Sequence, residues 1–271
     1  MRINILYIML LLNFNLKGFF MAGGLIEGFQ KLFKGKNVLQ KHLFLFGLGF
    51  LLCVEIGLKN PVLYFLCSIV TSLLFWLYFM HFTHNAVKYC VYRDHEDDYQ
   101  KVKAIQIMPE INKGLFEHTF ELICFVFAWG LVFGIIYLCL LVPILGFIVA
   151  IASIPFVFCW NFTAGIIFAR FAETYQIKGN VSIGKVFSYL PKVILSVLIL
   201  DLKIFCLSLP IIGIVYLISM LVFGLSSEDN RAIFIYVLLP FVAYTIILIT
   251  MAYQYEIANI YYRDVKLTEE I

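Results

Sequence analysis

The 271-residue chain is 63% hydrophobic and only 14% charged, with a mean hydropathy of +0.96 and a formal net charge of +3. A soluble domain has roughly 45–50% apolar and about 25% charged residues. A single core cannot hide this much apolar surface, so lipid has to cover part of it. The composition therefore excludes an ordinary soluble domain and predicts an integral membrane protein.

The seven cysteines argue against a disulfide framework or a zinc site. Six of them lie inside apolar runs, no CxxC pair occurs, and the count is odd. Buried cysteines of this kind usually act as small hydrophobic residues. No cofactor or metal is therefore expected from them.

Residues 1–20 contain an apolar run, Ile3–Leu12, that is too short to span a bilayer, which needs roughly 20 residues. We expect this segment to be an N-terminal extension, with Met21 as the natural start. A signal peptide is the alternative, although no small-x-small cleavage site follows the run. Residues 21–271 are predicted to form a single polytopic membrane domain.

An amphipathic helix is predicted to begin near Gly23. Its apolar face is formed by Leu25, Ile26, Phe29, Leu32 and Phe33, and its polar face by Glu27, Lys31 and Lys34. A helix with lysines on its polar side, next to a membrane span, most simply lies in the headgroup plane.

Six apolar runs follow, with predicted spans at about 43–58, 62–82, 121–142, 144–168, 193–224 and 232–255. Pro155 should kink the fourth span, and Pro210 should break or tilt the fifth. The predicted fold is an all-α membrane protein, a bundle of six transmembrane helices with short in-plane amphipathic cytoplasmic helices.

The polar interval 169–192 is predicted to connect two helical hairpins at the membrane surface. It turns at Lys178–Asn180, and Ser182 is a natural N-cap for a short amphipathic helix. On that helix we expect Phe187 to anchor in the acyl region and Lys185 to lie among the headgroups.

The distribution of basic residues predicts the orientation. Of the 20 Lys and Arg residues, only Lys59 and Arg231 fall on the side opposite the termini, and Lys203 falls within a span. Such asymmetry places both termini in the cytoplasm. A further hypothesis is a threefold repeat, in which each unit is an amphipathic segment followed by a helical hairpin. A similar short sequence motif precedes each pair of spans: Gly28…Leu32-Phe33, Gly114-Leu115-Phe116 and Gly184…Val186-Phe187.

Two motifs carry a resemblance to a known family. The fourth span ends in Ala169-Arg170-Phe171-Ala172, and Asn180–Leu190 follows the turn. With the six-span layout, these segments resemble a family of prokaryotic membrane proteins of unassigned function over roughly residues 22–265. The chain is also distantly similar to the membrane domain of some glycerophosphodiester phosphodiesterases. The resemblance implies a six-span fold in a prokaryotic inner membrane, and no chemistry.

Known catalytic motifs are absent from the sequence. It contains no HExxH, GxSxG, Walker or GxGxxG pattern, so no catalytic residue is assigned and an enzyme is not expected. His81 and His84 lie three apart, but no acid lies at helical spacing within their apolar run, which favours interfacial histidines over metal ligands. The acidic run 94–98 lacks EF-hand spacing and is predicted to be a solvated loop.

Ionisable residues inside the apolar runs are the remaining functional signal, because burying charge in lipid is costly. Asp201 and Lys203 lie in the fifth span; with Asn161 and Arg170 they form a candidate polar site between the bundle halves. The alternative is that the fifth span begins nearer Ser182, which would place Asp201 and Lys203 near the inner headgroups.

Two functions are compatible with this pattern. The first is a non-enzymatic protein that organises lipid or partner proteins at the cytoplasmic face, with anionic headgroups as its main partners and other proteins or a second copy as alternatives. Nucleic acid is not expected, since the basic residues are spread over interfacial segments. The second is a transporter or channel for a small or lipophilic solute, with its polar site near spans four and five.

Overall fold

The structure, a computed structural model, describes residues 24–57, 60–93, 105–224 and 238–269. Within these ranges the chain is helical, without strands, which confirms the all-α prediction. The helices are α1 (Gly24–Leu32), α2 (Val38–Gly57), α3 (Pro61–Arg93), α4 (Thr119–Leu140), α5 (Pro143–Thr174), α6 (Ile183–Gly224) and α7 (Leu239–Ile260). A 3-10 turn at Lys113–Phe116 precedes α4, and α7 continues as a π-helical turn at Tyr261–Lys266 followed by Leu267–Glu269.

Six of these helices, α2 to α7, are long and apolar enough to cross a membrane, as the sequence predicted. Several extend well past the predicted spans: α3 runs to Arg93, α5 to Thr174, and the continuation of α7 to Glu269. A bilayer needs only about 20 helical residues, so these added turns project beyond it. Residues 232–237 of the predicted sixth span lie outside the described residues.

α6 differs from the prediction in two respects. The segment expected to be a separate amphipathic helix forms the first turns of α6, which continues through Pro191, and α6 also continues through Pro210 rather than breaking there. The buried residues explain the continuity at Pro191, because one face carries Val186, Tyr189, Val193, Val197 and Leu200 at helical spacing on both sides of the proline. Packing along this face outweighs the backbone hydrogen bond that the proline removes.

α7 lies at the centre of the bundle and packs against α1, α2, α3, α5 and α6. Its contact with α2 is close, because a Cβ added at Gly49 would lie 3.2 Å from the backbone nitrogen of Tyr244. Small residues permit such close packing of helices in membranes. Of the spanning helices in the described ranges, the first and the last along the chain are therefore neighbours.

α1 docks against α7 rather than lying alone on the membrane surface. Leu25 and Leu32 are buried, and a Cβ added at Gly28 would lie 3.0 Å from Cδ1 of Tyr255. The predicted apolar face is therefore divided, since Ile26 and Phe33 are exposed. We call the end of the bundle where α1 meets the last turns of α7 the inner end, and the opposite end the outer end.

The tight core lies towards the inner end. Here Phe82, Ala86, Phe171, Ala172 and Tyr255 are each 0% exposed. Towards the outer end large apolar side chains are exposed instead, with Leu63, Ile135, Ile148 and Ile214 between 50% and 60% exposed. Apolar surface of this extent in a membrane helix is covered by lipid.

Candidate functional site

The four residues of the predicted polar site have different partners. Asp201 Oδ1 accepts a hydrogen bond of 3.0 Å from the Tyr253 hydroxyl of α7. Lys203 is buried and interacts electrostatically with Glu256, also on α7. The two residues of α6 therefore each face a polar group of the central helix.

Asn161 and Arg170 lie on α5 and have partners elsewhere. The Asn161 amide donates to the carbonyl of Val157 in its own helix at 3.0 Å. Arg170 pairs with Glu269 at 3.3 Å, and its guanidinium lies 5.8 Å from the ring centre of Tyr189. The described contacts thus distribute the predicted site residues over separate pairs.

The predicted interfacial anchors lie near the start of α6. Phe187 is 44% exposed, and its ring centre lies 6.5 Å from that of Phe156 on α5. Lys185 is half-buried and interacts electrostatically with Arg170 and Glu269. Tyr189, which the sequence pattern did not single out, is the buried aromatic residue of this segment.

A first polar network joins α1 to α3 at the inner end. Lys31 Nζ donates to the Tyr89 hydroxyl at 2.7 Å, and that hydroxyl donates to Glu27 Oε1 at 3.1 Å. Arg93 lies 3.8 Å from the Glu27 carboxylate and donates to Asn259 at 3.1 Å, which extends the network to α7. Charge pairs and hydrogen bonds therefore hold α1 in place alongside its apolar contacts.

A second polar network surrounds the C-terminal turns. Glu173 of α5 accepts hydrogen bonds from Tyr261, at 2.7 Å, and from Lys266. Asp264 accepts from Ser196 of α6 at 2.7 Å. The π-helical turn thus connects α5 and α6 to the end of α7, a geometry that is often found at functional sites.

Three histidines surround Tyr175 between α3, α4 and α5. The ring centre of Tyr175 lies 3.8 Å from that of His118, 4.9 Å from that of His84 and 6.1 Å from that of His81. His84 Nδ1 also lies 2.9 Å from the carbonyl oxygen of Ala172. Burial raises the pKa of the Tyr175 phenol, and the nearby Glu117 carboxylate acts in the same direction. His118 and His84 therefore stack on Tyr175, and His81 lies tilted beside it. In the described ranges, no group of three or more His, Cys, Asp or Glu residues could hold a metal ion.

Lys41, at the start of α2, is a buried lysine. Its Nζ donates to the carbonyl of Met108 at 2.8 Å and to Gln106 Oε1 at 3.0 Å. These bonds hold the segment before α4 against the start of α2. No local sequence signal marks this partnership, since the two ends lie more than 60 residues apart along the chain.

An aromatic cavity of about 310 Å³ lies between α3, α4, α5 and α7. Its lining includes all three tryptophans of the chain, Trp76, Trp129 and Trp160, together with Phe79, Phe125, Val126, Ala164, Gly165, Phe168 and Gln254. Gln254 is 3% exposed and Trp129 is 5% exposed. Among the described residues, neither Gln254 Nε2 nor Trp129 Nε1 has a hydrogen-bond partner.

The fold and its six spanning helices define the class of the protein as a multi-pass membrane protein. Comparisons of the chain with protein-family models, with curated proteins and with solved structures found no match.

Proposed function

We propose that the protein is a non-enzymatic membrane protein that organises anionic lipid, or partner proteins, at the face formed by the inner end. The observation that carries this proposal is the arrangement of exposed side chains there. Ile26, Phe33 and Phe187 are 38–56% exposed, and Lys34 and Lys36 follow Phe33 on the surface. Apolar side chains beside lysines suit the boundary between acyl chains and negatively charged headgroups.

The two polar networks support a structural role for this face. They join α1, α3, α5, α6 and the end of α7 through paired charges and tyrosine hydroxyls. A face tied together in this way presents its exposed residues in a fixed arrangement. The basic residues favour the cytoplasmic side for this face, and the resemblance noted from the sequence favours a prokaryotic inner membrane.

The experiment is native mass spectrometry of the purified protein, which counts retained phosphatidylglycerol. We expect the double variant K34Q/K36Q to retain less phosphatidylglycerol, by about tenfold or more in apparent affinity, because each lysine near an anionic surface contributes about 1 kcal/mol. The matched control, K59Q/R231Q, removes the two basic residues predicted on the opposite side. Equal retention by the two double variants would contradict the proposal.

Solute transport is a second candidate, and one observation favours it. Asp201 and Lys203 carry polar and charged groups into the contact between α6 and α7. The aromatic lining of the cavity argues against a polar solute on that route, because a passage for a polar solute would need polar walls. Ion conductance can be measured in planar bilayers for the wild type and for D201N. Conductance that the wild type shows and D201N lacks would support transport over the organising role.

A further inference from the structure

We propose that the aromatic cavity is a binding site for a planar, lipophilic compound that carries a carbonyl group. Its walls on α3, α4 and α5 are mostly aromatic, and α7 contributes the amide side chain of Gln254. The proposal is independent of the lipid-binding role of the inner end, since it rests on different residues and a different depth.

The size and walls of the cavity suit a flat ring system. Sites for small ligands have volumes of about 300–1,000 Å³, so a cavity of about 310 Å³ accommodates one small ring system rather than a whole lipid. Trp129 and Trp160 have ring centres 4.3 Å apart, and Trp76 and Phe168 have centres 5.6 Å apart. Such faces favour stacking of an aromatic ligand.

The two nitrogens without acceptors indicate the polar part of the ligand. A buried N–H group that has no hydrogen bond is costly, and the cost rises in an apolar environment. Gln254 Nε2 and Trp129 Nε1 both carry such N–H groups. A carbonyl oxygen is an acceptor for such N–H groups, whereas a hydrocarbon chain is not.

The position of the cavity indicates that the ligand comes from the bilayer. Trp76 and Val126, at its rim, are 41% and 48% exposed on helices that cross the membrane. Trp76, Trp129 and Trp160 lie about six to eight residues inside the predicted inner ends of their spans, which is roughly 9–12 Å at 1.5 Å per residue. The ester carbonyls of phospholipids lie at the boundary of the hydrocarbon core, so a ligand at this depth has to bring its own carbonyl group.

The test compares 9-fluorenone with fluorene, which has the same flat rings without the carbonyl oxygen. The full chain is reconstituted in phosphatidylcholine nanodiscs, and tryptophan emission is recorded beyond the absorption of fluorene. Because all three tryptophans line the cavity, nearly all of this emission reports on it. We expect fluorenone to quench this emission saturably. Fluorene should displace bound fluorenone only at concentrations higher than those at which fluorenone binds, by about 3- to 10-fold for each hydrogen bond that the carbonyl oxygen makes.

Variants of the two donors test the hydrogen bonds. Q254L keeps the bulk of the side chain and removes its donor, so it should weaken fluorenone binding about 3- to 10-fold and leave fluorene binding unchanged. W129F removes the other donor but also shortens the ring, so its effect is measured as the ratio of the fluorenone and fluorene affinities, which should fall by a similar factor. The control is T250V, one turn away on α7, whose hydroxyl bonds the carbonyl of Ile246 in its own helix. Equal affinity of the wild type for the two compounds, or a preference that survives in both donor variants, would overturn the proposal.

Two further variants test the location. A164F fills the cavity from α5, and V126F narrows its rim from an exposed position that does not disturb the core. Both should abolish saturable quenching by fluorenone. If V126F and A164F bind fluorenone as well as the wild type does, the ligand binds elsewhere. Quenching of the wild type that does not saturate would also contradict binding in the cavity.

Discussion

Tyr175 ends α5 with a left-handed backbone, at φ 53°, which is rare for a residue with a large side chain. Glycine or asparagine usually occupies this position after a helix. Here the ring stacks between His118 and His84, and this contact offsets the cost of the backbone. No sequence signal marked the residue, because the turn signal lies three residues later, at Lys178–Asn180.

The backbone of Tyr175 leads to a prediction that separates its conformation from its contacts. Y175G and Y175A both remove the ring, but only glycine adopts the left-handed conformation freely. We expect Y175A to be less stable than Y175G by about 1 kcal/mol, measured as the free energy of unfolding in mixed micelles. At Tyr216, an exposed residue inside α6, the order should reverse, because glycine weakens a helix. The same order at both positions would contradict the prediction.

The tyrosines at the end of α7 face the protein rather than the lipid. Tyrosines clustered at the end of a membrane span commonly lie at the headgroup level, yet Tyr255, Tyr261 and Tyr262 are buried within the protein. A tyrosine has the same amphipathic character at a lipid interface and inside a polar network. Only the neighbours, such as Glu173 for Tyr261, distinguish the two environments.

At the scale of single elements, the docking of α1 on α7 depends on Gly28. A side chain at this position would have to displace Tyr255 or the backbone of Ala252. We expect G28L to reduce the free energy of unfolding by about 1–3 kcal/mol and to expose α1 to proteolysis. G47L is the control, because a Cβ there meets nothing within 4 Å. Equal stability of the two variants would contradict the docking shown here.

The first turns of α6 provide a second prediction at this scale. Phe187 and Ser188 are adjacent, but the apolar side chain is expected to lie among acyl chains and the hydroxyl to face water. F187D should lower stability by roughly 1.5–3 kcal/mol, the value of burying a phenylalanine, and S188D should have a much smaller effect.

The water exposure of positions 187 and 188 can be compared by spin-label accessibility along residues 182–190, with one cysteine at a time in a cysteine-free background. The accessibility should vary with a period near 3.6 residues, and positions 186 and 189 should be protected by protein contacts. Equal water exposure at positions 187 and 188 would rule out the anchor.

At the scale of the whole molecule, the orientation in the membrane is open to a direct test. The predicted topology puts nearly all basic residues on the side of the termini, so a reporter fused after Ile271 should be cytoplasmic and one inserted at Ser227 should be external. Alkaline phosphatase and green fluorescent protein fusions measure this. A cytoplasmic reading at Ser227 would contradict the six-span topology.

Hydropathy alone predicted six spans, since a helix exposed to lipid has to be apolar along its whole length. Hydropathy does not predict which helices contact each other, because faces that contact lipid and faces that contact protein are both apolar. Gln254 illustrates this, since it lies among apolar and tyrosine residues and nothing in the sequence connects it to Trp129. The four residues of the candidate site share only a polar or charged side chain in or beside an apolar run, and the structure gives them separate partners.

The main packing partner of α2 is α7, which lies near the other end of the chain. During synthesis α2 therefore enters the bilayer long before α7 has been translated. The hydrogen bond between the Tyr244 hydroxyl and His42 joins residues 202 positions apart. At roughly 5–20 residues per second, the ribosome takes roughly 10–40 s to synthesise the intervening chain. Throughout that interval the faces of α1 and α2 that end against α7 have to be covered by lipid, by another helix or by an insertase. A messenger truncated before α7 would therefore leave an intermediate in which α1 and α2 lack their main partner, of the kind that membrane quality-control proteases remove.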